Sequence, residues 1–321
     1  MNKTRIIFMG TPEFAVPSLD ILIKNGFDVS AVITAPDKPS GRGRMLSESA
    51  IKAYALANSI PILQPTNLKD PEFINDLKKL NADLQVVVAF RMLPERVWAM
   101  PKLGTFNLHA SLLPNYRGAA PINWAIINGE TETGVSTFFL NKDIDTGSII
   151  FQEKVKIQKN ETAGELHDTL MMDGASLVLK TVNAIISGEF TLTEQTLKKE
   201  EIKLLKTAPK IFKEYTRINW EKPAKNILNL INGLSPYPTA YTMIKSEEMD
   251  AVQLKIFKAE MINTDHQIEI GKIRCDGKSK MEIACAEGMI LLREVQLSGK
   301  KRMKIEEFLR GFSIKEGWIA Q

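Results

Sequence analysis

Apolar and polar positions fall into alternating blocks along the first half of the chain. RIIFMG (5–10) is a continuous apolar run, as a strand buried on both faces requires. Thr11-Pro12 then reads as a helix N-cap with proline at the first helical position, and Phe14, Leu19, Leu22 and Ile23 recur at helical spacing. DVSAVIT (28–34), PILQ (61–64), DLQVVVAF (83–90) and GTFNLHA (104–110) repeat the strand pattern, with helical segments between. This alternation predicts an α/β fold built on a doubly wound, mostly parallel sheet. Ligands bind such sheets at the carboxyl ends of the strands, where Asn107 and His109 stand.

Past residue 120 the pattern changes. A helix over 121–129 precedes GVSTFFL (134–140) and SIIFQEKVKI (148–157), which predict an antiparallel hairpin about the turn NKDIDTG. A long helix is expected over 162–187, ending at Gly188, followed by a polar stretch rich in Thr and Lys. After a helix over 223–234, the short runs AVQLKIFKAE, HQIEIGKIRCD, MEIACA and GMILLREVQLSG predict a small barrel. The expected division is a first domain over 1–188, a linker over 189–208 and an OB-like domain over 209–321.

Bulk properties narrow the classes. A chain of 321 residues has room for two cores, and 44% apolar with 25% charged residues is globular composition. No apolar run approaches the ~20 residues of a membrane span. The opening MNKTRIIFMG leaves no space for a signal peptide, so the expected compartment is the cytoplasm. The net charge is +4, with the basic excess in 198–321 and a slightly acidic front. A basic rear fits a polyanionic partner or an ordinary lysine-rich surface. Cys275 and Cys285 lack a neighbouring histidine, so no metal site is expected. Gly10 stands alone without the G-x-G-x-x-G spacing, and no P-loop is present, which argues against dinucleotides and nucleoside triphosphates.

The candidate chemistry lies in FNLHASLLPNYRG (106–118). Asn107 and His109 alternate with Phe106 and Leu108, so both polar side chains point to one face of the strand end. A lone histidine there is more often packing than chemistry. An amide beside it adds a second donor for a developing oxyanion, as acyl transfer needs. The turn Asp143-Ile144-Asp145-Thr146-Gly147 offers a carboxylate to orient the imidazole. A second candidate is the loop APDKPSGRGRM (35–45), whose Lys38, Arg42 and Arg44 suit phosphates or a solvated surface equally.

Asn107, His109, Ser111-Leu112-Leu113-Pro114, Arg117-Gly118 and Asp145 together resemble the motif N-x-H-x-S-L-L-P-x-x-x-G followed by D-x-G. That motif belongs to the 10-formyltetrahydrofolate-dependent formyltransferase family. GTPEFAVPSL, PDKPSGRGR, QPTNL, RGAAPINWAI and SPYP extend the resemblance over nearly the whole chain, toward members acting on aminoacyl-tRNA. FRMLP (90–94) departs from the family pattern, which more often has a tyrosine, a glycine and one residue more there.

The resemblance implies 10-formyltetrahydrofolate as formyl donor, no metal, and the α-amine of methionyl initiator tRNA as acceptor. It gives Asn107 the role of oxyanion donor and His109 that of second donor and proton carrier. Asp145 then raises the imidazole pKa and fixes its tautomer. Ser111, Leu112, Leu113, Pro114, Phe90 and Met92 are expected at the folate. Lys38, Arg42 and Arg44 are expected at the tRNA acceptor end, and Lys206, Lys210, Arg302 and Lys304 along its backbone. A monomer is expected. A formyltransferase acting on an amino sugar and a 10-formyltetrahydrofolate hydrolase are the alternatives.

Overall fold

The computed structural model describes residues 4–40, 45–196 and 199–321. Two compact units emerge. The first comprises Met1–Gly118, Glu132–Lys156 and His167–Thr207; the second comprises Ala119–Thr131, Ile157–Leu166 and Ala208–Gln321.

In the first unit β1 (Arg5–Gly10) is followed by a short 3-10 turn (Glu13–Ala15) and α1 (Val16–Lys24). The expected Thr11 cap does not form. Pro12 precedes the 3-10 turn without a side-chain cap, and Pro17 instead occupies the first turn of α1. Next come β2 (Asp28–Ile33), the hairpin of β3 (Lys38–Ser40) with β4 (Met45–Ser47), and α2 (Ala50–Ala57). The basic 35–45 segment is thus partly a paired ribbon, with Gly41–Arg44 outside the described residues.

β5 (Ile62–Leu63), α3 (Pro71–Lys79), β6 (Leu84–Val88), α4 (Glu95–Trp98), β7 (Thr105–His109) and β8 (Arg117–Gly118) follow. α3 starts where Asp70 accepts a hydrogen bond from the Glu72 N–H (2.9 Å) with Pro71 at the first helical position, and it buries Phe73, Ile74 and Leu77. β9 (Glu132–Phe139) and β10 (Ile149–Lys156) complete the sheet. Strand order is β10-β9-β7-β6-β1-β2-β5. The five strands from β7 to β5 are parallel, and β9 and β10 form the antiparallel hairpin that the alternation predicted. β1 and β6 are buried along nearly their whole length, which is why they read as unbroken apolar runs.

α6 (Ala163–Ser187) has the length and apolarity of a membrane span, with mean hydropathy 1.3 over an 18-residue window. The sequence reading had found no such run. In the fold its residues Leu170, Leu177, Val178 and Val182 are core, so its apolarity serves packing. Gly174 lets it approach β7: a Cβ there would come within 2.7 Å of Leu108 Cδ2. Thr181 meets Thr137 of β9 through their hydroxyls (2.8 Å).

The second unit contains α5 (Pro121–Ile127), which packs on α8 (Ala224–Leu234) with Asn123 Nδ2 donating to Gly233 O (2.7 Å). After α7 (Lys199–Leu204) and β11 (Thr207–Ala208), the remaining strands are β12 (Ala240–Lys245), β13 (Val252–Ile262), β14 (Ile273–Cys275), β15 (Met281–Ala284), β16 (Met289–Leu297), β17 (Met303–Lys304) and, after α9 (Ile305–Gly311), β18 (Ile319–Ala320). The order β14-β15-β16-β13-β12-β18 closes through an antiparallel bridge between Lys272 and Ile319 and a bond from Ala320 N to Gly271 O (2.8 Å). The result is the expected small barrel, filled by Ile256, Ile283, Ile290, Leu292 and Phe308. HQIEIGKIRCD supplies a strand only over its last part. His266 sits in the preceding loop, its Nε2 facing Gly288 O (2.8 Å) and its Nδ1 accepting from Ile268 N (3.2 Å).

Candidate active site

β7 ends the parallel part of the sheet, and its alternation sorts its side chains. Phe106 and Leu108 are buried, with Leu108 against α6, so Asn107 and His109 point to the other face. Asn107 is half-buried, and its Oδ1 is a buried atom without a hydrogen-bond partner. Amide oxygen and nitrogen are told apart only by their partners, so this unpaired end can be the N–H₂ donor. A buried amide left unpaired costs about 1–3 kcal/mol, and a site that binds a polar group recovers it.

His109 is 7% exposed, and its Nε2 lies 2.9 Å from the carbonyl oxygen of Tyr116. A carbonyl only accepts, so Nε2 carries the hydrogen and the neutral ring keeps its lone pair on Nδ1. Nδ1 faces Asp145 Oδ2 at 3.8 Å, beyond hydrogen-bond length. At that distance Asp145 does not fix the tautomer; the Tyr116 carbonyl does, which corrects that part of the expectation for Asp145.

Asp145 has φ +55 and a side chain only 12% exposed. Its carboxylate accepts from the Gly118 N–H (2.9 Å), and its carbonyl accepts from Gln195 Nε2 (3.1 Å). Gln195 also donates to Gly147 O (2.7 Å) and accepts from the Arg117 guanidinium (2.7 Å). Burial pulls the Arg117 pKa down, while the Asp145 charge opposes that shift. Gly147 is required by close approach, because a Cβ there would collide with the Phe139 carbonyl.

The SLLP turn is largely committed inward. Ser111 is fully buried, with its hydroxyl donating to Asn115 O (2.7 Å). Its carbonyl accepts from the Ser136 hydroxyl (2.6 Å), and Gln152 Nε2 donates to Leu113 O (2.9 Å). Leu113 packs with Phe138 and Ile149, and the Leu113–Pro114 peptide is cis. Leu112 and Pro114 are half-buried.

Phe90 is half-buried under the Arg91 guanidinium, whose carbon lies 5.5 Å from the ring centroid. Met92 is 68% exposed and lines a cavity of ≈ 700 Å³ together with Leu68, Lys69, Arg91, Leu93 and Arg96. Arg91 donates to the carbonyls of Thr66 and Pro65, so this wall is fixed from behind.

Lys38 is exposed on β3, and Arg42 and Arg44 lie outside the described residues. Lys206, Lys210 and Lys304 are exposed, whereas Arg302 is paired with Glu294 and stacked over Phe257. Among the described residues no His/Cys/Asp/Glu group has metal-site geometry.

Sequence reading missed Tyr116, Gln195, Ser136 and Gln152. Gln195 lies in the stretch read as linker, and no local pattern marks it. In the fold Thr193 bridges Ile149, which brings Gln195 to the Asp145 turn.

Residues 4–182 match the formyl transferase family and residues 210–313 match the formyl transferase C-terminal domain. The chain is 54% identical over 316 residues to the methionyl-tRNA formyltransferase of Flavobacterium johnsoniae, covering 98% of both chains. It is 50% identical to that of Bacteroides thetaiotaomicron, covering 98% of this chain and 97% of the relative. Among solved structures it superposes on WlaRD, a sugar 3N-formyl transferase solved with dTDP and 5-N-formyl-THF, at TM-score 0.65 and 22% identity, covering 94% of this chain and 100% of that one. Aquifex aeolicus HypX with tetrahydrofolic acid matches at TM-score 0.64 and 17% identity, over 98% of this chain and 49% of that one. At these identities the two structures speak for the fold. On the family match and the full-length relatives, the chain belongs to the formyl transferase family, in its methionyl-tRNA formyltransferase group.

Proposed function

We propose that the chain transfers the formyl group of 10-formyltetrahydrofolate to the α-amine of methionyl initiator tRNA, giving N-formylmethionyl-tRNA for translation initiation. Half identity over the whole length to methionyl-tRNA formyltransferases supports the acceptor. The folates bound to WlaRD and HypX support the donor class. The observation that carries the chemistry is the unpaired Asn107 amide on the same strand face as His109, whose Nδ1 faces Asp145.

The amine nitrogen attacks the formyl carbon, forming the new C–N bond as the carbonyl electrons move to oxygen. Asn107, with its amide turned so that the N–H₂ faces the site, donates to that oxyanion, a contribution of about 10²–10³ in rate for such a donor. His109 Nδ1 takes the proton shed by the attacking nitrogen, and the Asp145 carboxylate stabilises the imidazolium. Collapse of the intermediate breaks the bond to folate N10, which receives the proton from Nδ1. The Nε2–H stays on the Tyr116 carbonyl throughout.

Phe90 and Met92 contact the folate in this reading, and Ser111, Leu112, Leu113 and Pro114 shape the floor beneath it. Lys38, Arg42 and Arg44 meet the tRNA. Residues 1–188 form the catalytic region, 189–208 the linker and 209–321 the tRNA-binding region, in a cytoplasmic monomer. Full-length relatives at about half identity favour the tRNA acceptor over the sugar-acceptor and hydrolase alternatives.

Incubation with 10-formyltetrahydrofolate and methionyl initiator tRNA tests the proposal. Accumulation of N-formylmethionyl-tRNA matched to folate release is expected. Folate release without formylated tRNA supports the hydrolase instead, and formylation of a nucleotide-linked amino sugar in preference to tRNA supports the sugar enzyme.

A further inference from the structure

The segment KIFKEYTR (210–217) carries two aromatic rings that no core takes up. Phe212 is 54% and Tyr215 is 59% exposed. A single exposed aromatic is ordinary. Two of them, three residues apart, on a backbone fixed by its own hydrogen bonds are a presented surface. The Tyr215 N–H donates to Phe212 O (3.1 Å), and the Thr216 hydroxyl donates to Lys213 O (2.7 Å). Tyr215 is braced edge-on by Trp124, centroids 6.3 Å apart at 77°, and Trp124 is itself tied by Nε1 to Pro209 O (2.8 Å). Such bracing restrains the Tyr215 ring while more than half of it stays open to solvent.

The charge around the rings selects the occupant. Lys210, Lys213 and Arg217 are exposed, against the single acid Glu214 in the segment. Lys210 Nζ lies 5.5 Å from the Phe212 centroid. A nucleotide presents a flat π-face and a phosphate together, and aromatic rings interleaved with cations match both. An apolar protein partner would leave these cations without counter-charges.

We propose that Phe212 and Tyr215 form a stacking platform for an unstacked base of the aminoacyl-tRNA, with Lys210, Lys213 and Arg217 holding the adjoining phosphates. This rests on the reading of tRNA as acceptor. It adds a contact made by ring stacking to one expected from charge alone.

The test compares the full-length wild type with Phe212→Ala/Tyr215→Ala, Phe212→Leu/Tyr215→Leu, Phe212→Tyr/Tyr215→Phe and Lys210→Gln. Labelled methionyl-tRNA binding is measured across a salt series, and formylation is measured across tRNA concentration. The alanine and leucine pairs are expected to raise Kd and KM for tRNA about 5- to 100-fold, with kcat at saturating tRNA retained and the salt slope unchanged. The ring-preserving pair is expected to bind like wild type, and Lys210→Gln to flatten the salt slope by about one unit. Wild-type tRNA affinity in the alanine pair overturns the platform. So does wild-type tRNA affinity in the leucine pair, which shows that apolar bulk and not a ring face makes the contact. If wild-type enzyme binds tRNA without formylating it, the proposed reaction falls while the platform is still judged on binding.

Discussion

The Nε2 of His109 faces the Tyr116 carbonyl at 2.9 Å, so the ring is presented to the site through Nδ1. Tyr116 holds φ +61, a left-handed conformation that side chains seldom adopt. The loop after β7 therefore turns back on its own strand and fixes a tautomer seven residues upstream. Asp145 lies 3.8 Å from the free nitrogen and is held by Gly118 and Gln195 rather than by the imidazole. In the proposed reaction, orientation and charge stabilisation of one histidine thus come from different residues.

Asp145→Asn separates those tasks. An asparagine side chain can still accept from the Gly118 N–H, so the turn and the fold should stay, with Tm within a few degrees of wild type. Loss of the negative charge opposite Nδ1 should lower kcat by about 10²–10⁴. Stopped-flow or steady-state formylation together with thermal unfolding checks both halves. Near-wild-type kcat would show that the imidazolium needs no carboxylate.

Gln195→Ala removes bonds to the carbonyls of Asp145 and Gly147 and one from Arg117. Each such bond is worth about 1 kcal/mol net. Because the bonds brace a turn away from the reacting atoms, Gln195 is a positioning residue. The kcat of formylation should fall roughly ten-fold with the KM for the folate kept, since Asp145 no longer sits at a fixed distance from Nδ1. A loss of stability with kcat unaltered would leave Gln195 as scaffold only.

Much of the fold was legible because its signals are local. β1 and β6 are buried on both faces and so are written as unbroken apolar runs, and the β9–β10 hairpin is written as alternation. The pair Asn107 and His109 was legible for the same reason, being two residues apart on one strand. Gln195 and Tyr116 were not. Gln195 acts fifty residues from Asp145 through a bridge at Thr193, and Tyr116 contributes only a backbone oxygen. The Thr11 cap failed because the chain enters α1 through a 3-10 turn, which moves the helix start to Val16.

Gly147→Ala tests the geometry of the Asp145 turn. The added methyl meets the Phe139 carbonyl, a backbone atom that cannot rotate away. Overpacking of this kind costs about 1–3 kcal/mol. Urea unfolding should show a lowered midpoint, and activity should fall with it as Asp145 is displaced. A midpoint equal to wild type would mean that the turn yields freely.

Stability should also depend on pH through Asp83. Its carboxylate accepts from the Arg5 N–H (2.8 Å) and pairs with Lys102 (2.9 Å), and these contacts hold its pKa below the ordinary carboxylate value. A depressed folded pKa adds stability that is fully present above the unfolded value, roughly 3.9, and is lost as pH falls through the folded one. Urea midpoints of wild type and Asp83→Asn should differ near pH 6 and converge as pH falls through the folded pKa. A gap that persists at acid pH would assign the effect to shape rather than charge.

In the proposed reaction the Asn107 amide and His109 Nδ1 work on one formyl group. Single-turnover formylation of methionyl-tRNA by wild type, Asn107→Ala, His109→Ala and the double variant measures it directly. Each single variant should lose about 10²-fold or more in rate while tetrahydrofolate binding is largely kept, and the double variant should lose less than the product of the two. Full multiplicative losses would show that the two residues act independently, and near-wild-type rates in either single variant would contradict their joint action on the formyl group.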